Sequence, residues 1–327
     1  MELFLENEKI NLTIHSEDEF DKNIIEGGKL NAEYKKFIDK KDALFKSRLQ
    51  PLEDSIQILF EKDNYNSDEM KEIFEKLDNA KSHDEKVPLY KEMEVLNKKG
   101  LDKTNAAKRL SDKQDVIYKE VEEYHNQYMD THSNLISYSF LLSKLVFAKS
   151  FVDIALAKSQ YKAFSEAHPN HPYNELVLNL ITAIEGIKVG NPFVDFSAPD
   201  LEGNIVKLSD EIKGKIALLD LWATWCGPCI AKSRTMVSIY DEYKDKGFTI
   251  VGVAGEFNNT DRLKSFLEKE KWSWLQLVEL DKQNSIWNKY GIDNSGGKIF
   301  LIDSDGKIIA EDPTADEVRK VLEDKLK

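Results

Sequence analysis

Cysteine is nearly absent: the chain holds two in 327 residues. That count excludes a disulfide-stapled scaffold and a zinc site built on four thiolates. No apolar run reaches the roughly eighteen residues a spanning helix needs. Positive charge is in deficit, with 46 Lys and Arg against 59 Asp and Glu, a net charge of −13. Phosphate binding needs clustered cations, so nucleic acid is excluded as the expected partner. The first residues, Met1-Glu2-Leu3-Phe4-Leu5-Glu6, lack a basic stretch followed by an apolar one. No secretory signal is therefore expected within the chain. Either the protein is cytoplasmic or a signal preceded Met1.

What remains is an acidic globular composition, 41% hydrophobic and 32% charged. At about 150 residues per domain, the length suggests two domains. The pattern divides into three stretches: 1–28, 29–187 and 188–327. In the first, Leu3-Phe4-Leu5 and Ile10 to Ile14 read as two short strands ahead of a Glu26-Gly27-Gly28 turn. Two strands do not make a stable sheet, so this piece must pack on something else or end a larger β unit. The second stretch is helical almost throughout. Phe37, Leu44, Phe45 and Leu49 recur at helical spacing, and Pro51 is expected to interrupt them. Ser67 caps a further helix, residues 151–164 form a better-buried one, and His168-Pro169-Asn170-His171-Pro172 breaks the chain before a last helix from Tyr173.

After Gly190-Asn191-Pro192 the character changes. Residues 215–222 are a near-continuous apolar run, the pattern of a strand buried on both faces. A helix (230–243), a second buried strand (248–253), a helix (261–271), a hairpin turning at Asp303-Ser304-Asp305-Gly306 and a closing helix (316–326) follow. This is a small α/β domain.

Both cysteines fall in Trp225-Cys226-Gly227-Pro228-Cys229, between the buried strand and the helix. Unpaired N–H groups at a helix start favour a thiolate, and a C-x-x-C thiol can ionise near pH 7 or below. Gly227 permits the tight turn and Pro228 suits a first helical turn. Cys229 lies within reach of Cys226. Two chance buried cysteines, or half of a zinc site, are the competing explanations. Zinc needs further ligands, and the six histidines are scattered. No metal and no cofactor is expected.

Residues 222–229, Trp-Ala-Thr-Trp-Cys-Gly-Pro-Cys, resemble the active-site motif of thioredoxin-fold proteins. Across 188–327 the chain is most similar to the TlpA/ResA-like thiol–disulfide oxidoreductases. Residues 195–203 resemble that group's lead-in segment, and Leu301-Ile302-Asp303 with Asp305-Gly306-Lys307-Ile308-Ile309 resembles its closing hairpin. Phe4-Leu5-Glu6 through Gly27-Gly28-Lys29-Leu30-Asn31 resembles the end of a β domain that precedes such oxidoreductases in Bacteroidetes-type envelope proteins, and the helical stretch resembles the linker domain of those proteins. The expected fold is thus an α/β thioredoxin domain at the C-terminal end, preceded by a mostly helical domain with a short, truncated β segment.

The resemblance implies a dithiol enzyme. Cys226 attacks a substrate disulfide, Cys229 resolves the mixed disulfide, and Asp220 accepts a proton. Asp220 interrupts an apolar strand. It either points outward at the strand end or lies buried beneath the pair, and the resemblance favours burial, which raises a carboxyl pKa. A C-G-P-C pair is expected to be reducing, with a potential of about −270 mV. Trp225, Gly227, Pro228, Gly296 and Gly297 are the expected substrate-binding residues. The expected partners are a protein thiol or disulfide substrate and an upstream membrane or soluble thiol reductant. The expected location is the periplasm or cell envelope, with the cytoplasm as the alternative.

Three departures stand out. The family places a cis-proline opposite the cysteine pair, yet no proline lies between Pro228 and Pro313, and Gly297 takes that position. The glycines are expected to leave the loop flexible, to weaken docking and to expose the thiols to soft metals, so that Gly297→Pro speeds reduction. Lys232 stands where many relatives carry an acid and Arg234 where they carry a proline. Both are expected to be solvated. Trp272, Trp274 and Trp287 are expected in the core. Two other classes compete with the enzyme: a helical binding or scaffold protein with a degenerate thioredoxin domain, and a peroxidase, against which the C-x-x-C spacing argues.

Overall fold

The computed structural model describes residues 2–81, 83–148, 152–292 and 296–326. Met1, Phe151 at the start of the expected 151–164 helix, and the loop residues Asp293, Asn294 and Ser295 lie outside the described residues. The chain forms two compact units. One comprises Met1–Glu75, Glu92–Ala148 and Ala155–His171; the other comprises Lys76–Lys91, Lys149–Ile154 and Pro172–Lys327.

In the first unit β1 (Asn11–Thr13) pairs antiparallel with β2 (Ile24–Glu26). The strand expected at Leu3-Phe4-Leu5 does not form. The Asn31 side chain takes the Phe4 amide at 2.9 Å and gives a hydrogen bond to the Phe4 carbonyl at 2.8 Å. One carboxamide thus satisfies the backbone groups a partner strand would have paired.

The helices are α1 (Lys29–Glu61), α2 (Asp68–Asn79), α3 (His83–Lys99), α4 (Asn105–Thr131), α5 (Leu135–Phe147) and α6 (Ile154–Ala167). Contrary to expectation, α1 runs through Pro51. An internal proline costs about 3 kcal/mol. Tertiary packing offsets it: Phe37 stacks on Tyr124 of α4 at 4.8 Å and meets Phe140 of α5 at 4.9 Å, while Phe45 sets its ring edge on Tyr124. Ser67 caps α2 as expected, its Oγ accepting the Met70 N–H.

The second unit contains α7 (Tyr173–Gly186), a small ribbon of β3 (Ser197–Pro199) and β4 (Ile205–Lys207), α8 (Leu208–Ile212), and then β5 (Ile216–Trp222), α9 (Gly227–Tyr243), β6 (Phe248–Glu256), α10 (Asp261–Glu270), β7 (Leu275–Leu280), α11 (Ile286–Lys289), β8 (Lys298–Ile302), β9 (Ile308–Glu311) and α12 (Ala315–Lys325). The main sheet has the order β7-β6-β5-β8-β9. β5 runs parallel to β6 and antiparallel to β8. Every residue of β5 is buried, Asp220 included, as its near-continuous apolar run implies for a central strand. Trp272, Trp274 and Trp287 are buried in this core, Trp272 and Trp274 stacked at 5.1 Å. Among the described residues no helix is long and apolar enough to cross a membrane.

Candidate active site

The site forms where β5 ends and α9 begins. Ala223, Thr224 and Trp225 carry the chain out of the sheet, and Glu256 at the end of β6 fixes that turn. Its buried carboxylate accepts the Thr224 amide at 2.6 Å and the Thr224 hydroxyl at 2.8 Å. Arg262 donates to the Thr224 carbonyl at 3.0 Å, and the Trp225 indole donates to the Gly255 carbonyl at 3.0 Å. Cys226 then occupies the N-cap of α9, with Pro228 in the first turn. Cys226 and Cys229 are joined by a disulfide, their Cα atoms 5.3 Å apart. Exposure does not separate their roles: Cys226 is 6% and Cys229 8% accessible. Their positions differ, Cys226 at the positive end of the helix and Cys229 inside its first turn.

Asp220 is 2% exposed and points at α9, not outward. The Ser233 hydroxyl lies 2.6 Å from Asp220 Oδ2 and 3.0 Å from the Cys229 carbonyl, tying carboxyl and helix together. Burial pushes the Asp220 carboxyl up to about 7, against the opposing pull of the Ser233 hydrogen bond and the Lys232 charge.

A cleft of about 390 Å³ gathers Asp220, Trp225, Cys226, Gly227, Pro228, Cys229, Gly296 and Gly297. The residues named from the sequence as catalytic or substrate-binding therefore line one cleft. The glycine loop is not open space beside the thiols. The Gly297 N–H donates to Cys229 Sγ at 3.1 Å, and a Cβ at residue 297 would stand 1.7 Å from the Leu221 carbonyl oxygen and 3.1 Å from Cys229 Sγ. The expectation that Gly297→Pro would improve the site is corrected here. Proline would remove the N–H that meets the sulfur and drive its ring into β5.

Lys232 also departs from expectation. It is buried, lines the cleft and pairs with Asp312. Arg234 is exposed as expected and holds Glu270 through two hydrogen bonds at 2.8 and 2.6 Å. Sequence reasoning missed Ser233, Asp312 and Glu256. Ser233 carried a usable signal, lying four residues past Cys229 on the same helical face. Asp312 and Glu256 arrive from distant strand ends and carry none.

Fold and dithiol together define a thioredoxin-like domain built for thiol–disulfide exchange. The profile of the AhpC/TSA family matches residues 189–311. Among curated proteins the chain is 34% identical over 147 residues to the thiol-disulfide oxidoreductase ResA of Bacillus thuringiensis subsp. konkukian, covering 45% of this chain and 81% of that one. ResA of Geobacillus thermodenitrificans is 32% identical over 150 residues, covering 44% and 82%. Solved structures that align include the thioredoxin domain of a thiol-disulfide oxidoreductase from Bacteroides vulgatus (30% identity, TM-score 0.39, 43% of this chain and 100% of that one). A thiol:disulfide interchange protein from Bacteroides sp. aligns at 31% identity and TM-score 0.39, over 43% and 91%. With four fifths of the Bacillus thuringiensis relative matched, the chain belongs to the ResA thiol–disulfide oxidoreductases. It is an oxidoreductase whose substrates are thiols and disulfides.

Proposed function

We propose that Cys226 meets the substrate, that Cys229 resolves the mixed disulfide, and that Asp220 takes the proton Cys229 gives up. In the reducing direction, Cys226 thiolate attacks one sulfur of a substrate disulfide and the other leaves as thiolate. Cys229 passes its proton to Asp220 and attacks Cys226 Sγ. The substrate's second sulfur departs and the Cys226–Cys229 disulfide closes. The observation that carries this reading is the buried Asp220 carboxyl, poised near neutral pH in the same cleft as the pair and joined to α9 through Ser233.

Trp225, Gly227, Pro228, Gly296 and Gly297 receive the substrate along that cleft. The favoured direction is reduction of protein disulfides, regenerated by an upstream thiol reductant, and the favoured location is the periplasm or cell envelope. Residues 1–28, 29–187 and 188–327 serve as β segment, helical domain and redox domain. The chemistry calls for no cofactor.

The test uses reduced protein and Ellman's reagent, which forms a mixed disulfide at one thiol and releases a second thionitrobenzoate when the other thiol resolves it. Asp220→Asn should slow the second release by at least about tenfold at neutral pH while leaving the first nearly unchanged. An unaltered second phase between neutral and alkaline pH removes Asp220 from the reaction.

A further inference from the structure

Asp220 does not sit alone beneath the disulfide. Lys232, three residues past Cys229 on α9, forms an ion pair with Asp312, the residue that follows β9. The lysine side chain is 10% exposed and the aspartate 39%. The pair reaches Asp220 from two elements. Lys232 lines the same cleft and precedes Ser233, whose hydroxyl contacts Asp220. Asp312 Oδ1 accepts the Ile299 N–H at 3.2 Å, the Asp312 N–H returns to the Ile299 carbonyl at 2.9 Å, and Ile299 lies directly opposite Asp220 in the β5–β8 ladder.

Among the described residues the surroundings supply little else. On the β6 side the residue opposite Asp220 is Gly252, which has no charge. On β8 the neighbouring cleft residue Lys298 is paired with Glu311 at 2.6 Å. At α9 the other ionisable groups that line the cleft are Cys229 and the N-cap Cys226, joined to each other, while Arg234 is exposed and held by Glu270. An ion pair with one buried partner is weak ground for a stability role, because desolvating the buried charge offsets the Coulombic gain.

We propose that the Lys232–Asp312 pair is a positioning device for the resolving step, the lysine holding Asp220 as the carboxylate that can take the proton of Cys229 and the aspartate opposing that ionised form. This rests on the reading of Asp220 as proton acceptor. Lys232 draws Asp220 towards its ionised form, Asp312 pushes it towards the protonated form, and the ion pair fixes both charges in place.

The two partners therefore act with opposite sign, which a merely structural salt bridge does not do. The readout is the pH profile of the second thionitrobenzoate release in the full chain. Lys232→Met should move the rising limb to higher pH by roughly half a unit or more. Asp312→Asn should move it to lower pH. Asp312→Asn leaves a buried ammonium unpaired and can impair folding, so Lys232→Met/Asp312→Asn is included; it leaves neither charge stranded and should fall between the two single variants. In an Asp220→Asn background these displacements should vanish. Displacement of both single variants in one direction, coincidence of Lys232→Met with the double variant, or displacements that persist without Asp220 each overturn the inference. An Asp220→Asn protein with a normal second phase instead overturns the underlying reading. A slowed one, with the pair variants unmoved, overturns this inference alone.

Discussion

The backbone N–H of Gly297 donates to the sulfur of Cys229 across 3.1 Å. A loop that reads as flexible in the sequence is thus fastened to Cys229. Its glycine is required by the Leu221 carbonyl, which leaves no room for any side chain.

Substitution at 297 should therefore harm the protein. Gly297→Ala is expected to lower unfolding free energy by about 1–3 kcal/mol, the usual cost of forcing atoms into a filled space. Gly297→Pro should do more damage, because it also removes the N–H. Chemical denaturation and insulin reduction check both: a proline variant as stable and at least as active as the parent contradicts the geometry.

Asp220 should leave a mark on stability as well as on turnover. Its carboxyl is raised from 3.8 to about 7 in the fold, so the folded state holds a proton that the unfolded chain releases. Stability from this group is present below the unfolded value and declines as pH rises through about 7. Oxidised Asp220→Asn, which cannot ionise, should gain relative to the parent at pH 8 against pH 5, by up to a few kcal/mol. Urea denaturation at the two pH values measures the difference; a gap that does not grow with pH contradicts the buried, protonated carboxyl.

Ser233→Ala removes the hydroxyl whose hydrogen bond draws the Asp220 carboxyl downward. The resolving step in that variant should need higher pH, and unfolding free energy should fall by about 1–2 kcal/mol for the lost buried bond. Stopped-flow profiles of the mixed-disulfide intermediate read the first effect. A profile displaced to lower pH contradicts it.

Glu256 acts on the turn rather than on the sulfurs. Glu256→Ala strands the buried Thr224 amide and hydroxyl, at an expected cost of about 2–4 kcal/mol. Calorimetry of the full chain measures that cost, and a change below about 0.5 kcal/mol shows that the turn does not depend on the carboxylate.

Much of the redox domain was legible because its signals are local. The near-continuous apolar run of β5, the glycine and proline between the cysteines, and the acid that interrupts that run all lie within residues 216–229. Lys232 was misread because exposed charge is the default, and nothing near it in sequence announces a partner eighty residues away at Asp312. The loop was misread for a related reason. Missing proline suggests freedom, whereas the restraint comes from the register that sets Leu221 against Lys298. In the helical stretch Pro51 is a local breaker, but aromatic packing by Phe37 and Phe45 is a non-local answer to it.

The two lysines at the cleft, Lys232 and Lys298, are each matched by an acid, Asp312 and Glu311. Among the described residues the cations that line the cleft are thereby neutralised, on a chain of net charge −13. An acidic protein approaching it meets repulsion only from the surrounding surface, and at physiological salt that field fades over about 8 Å. Within that distance neither sign of charge is rewarded. On the proposed reading of this cleft as the substrate site, contour and backbone polarity are expected to select among partners more than charge does.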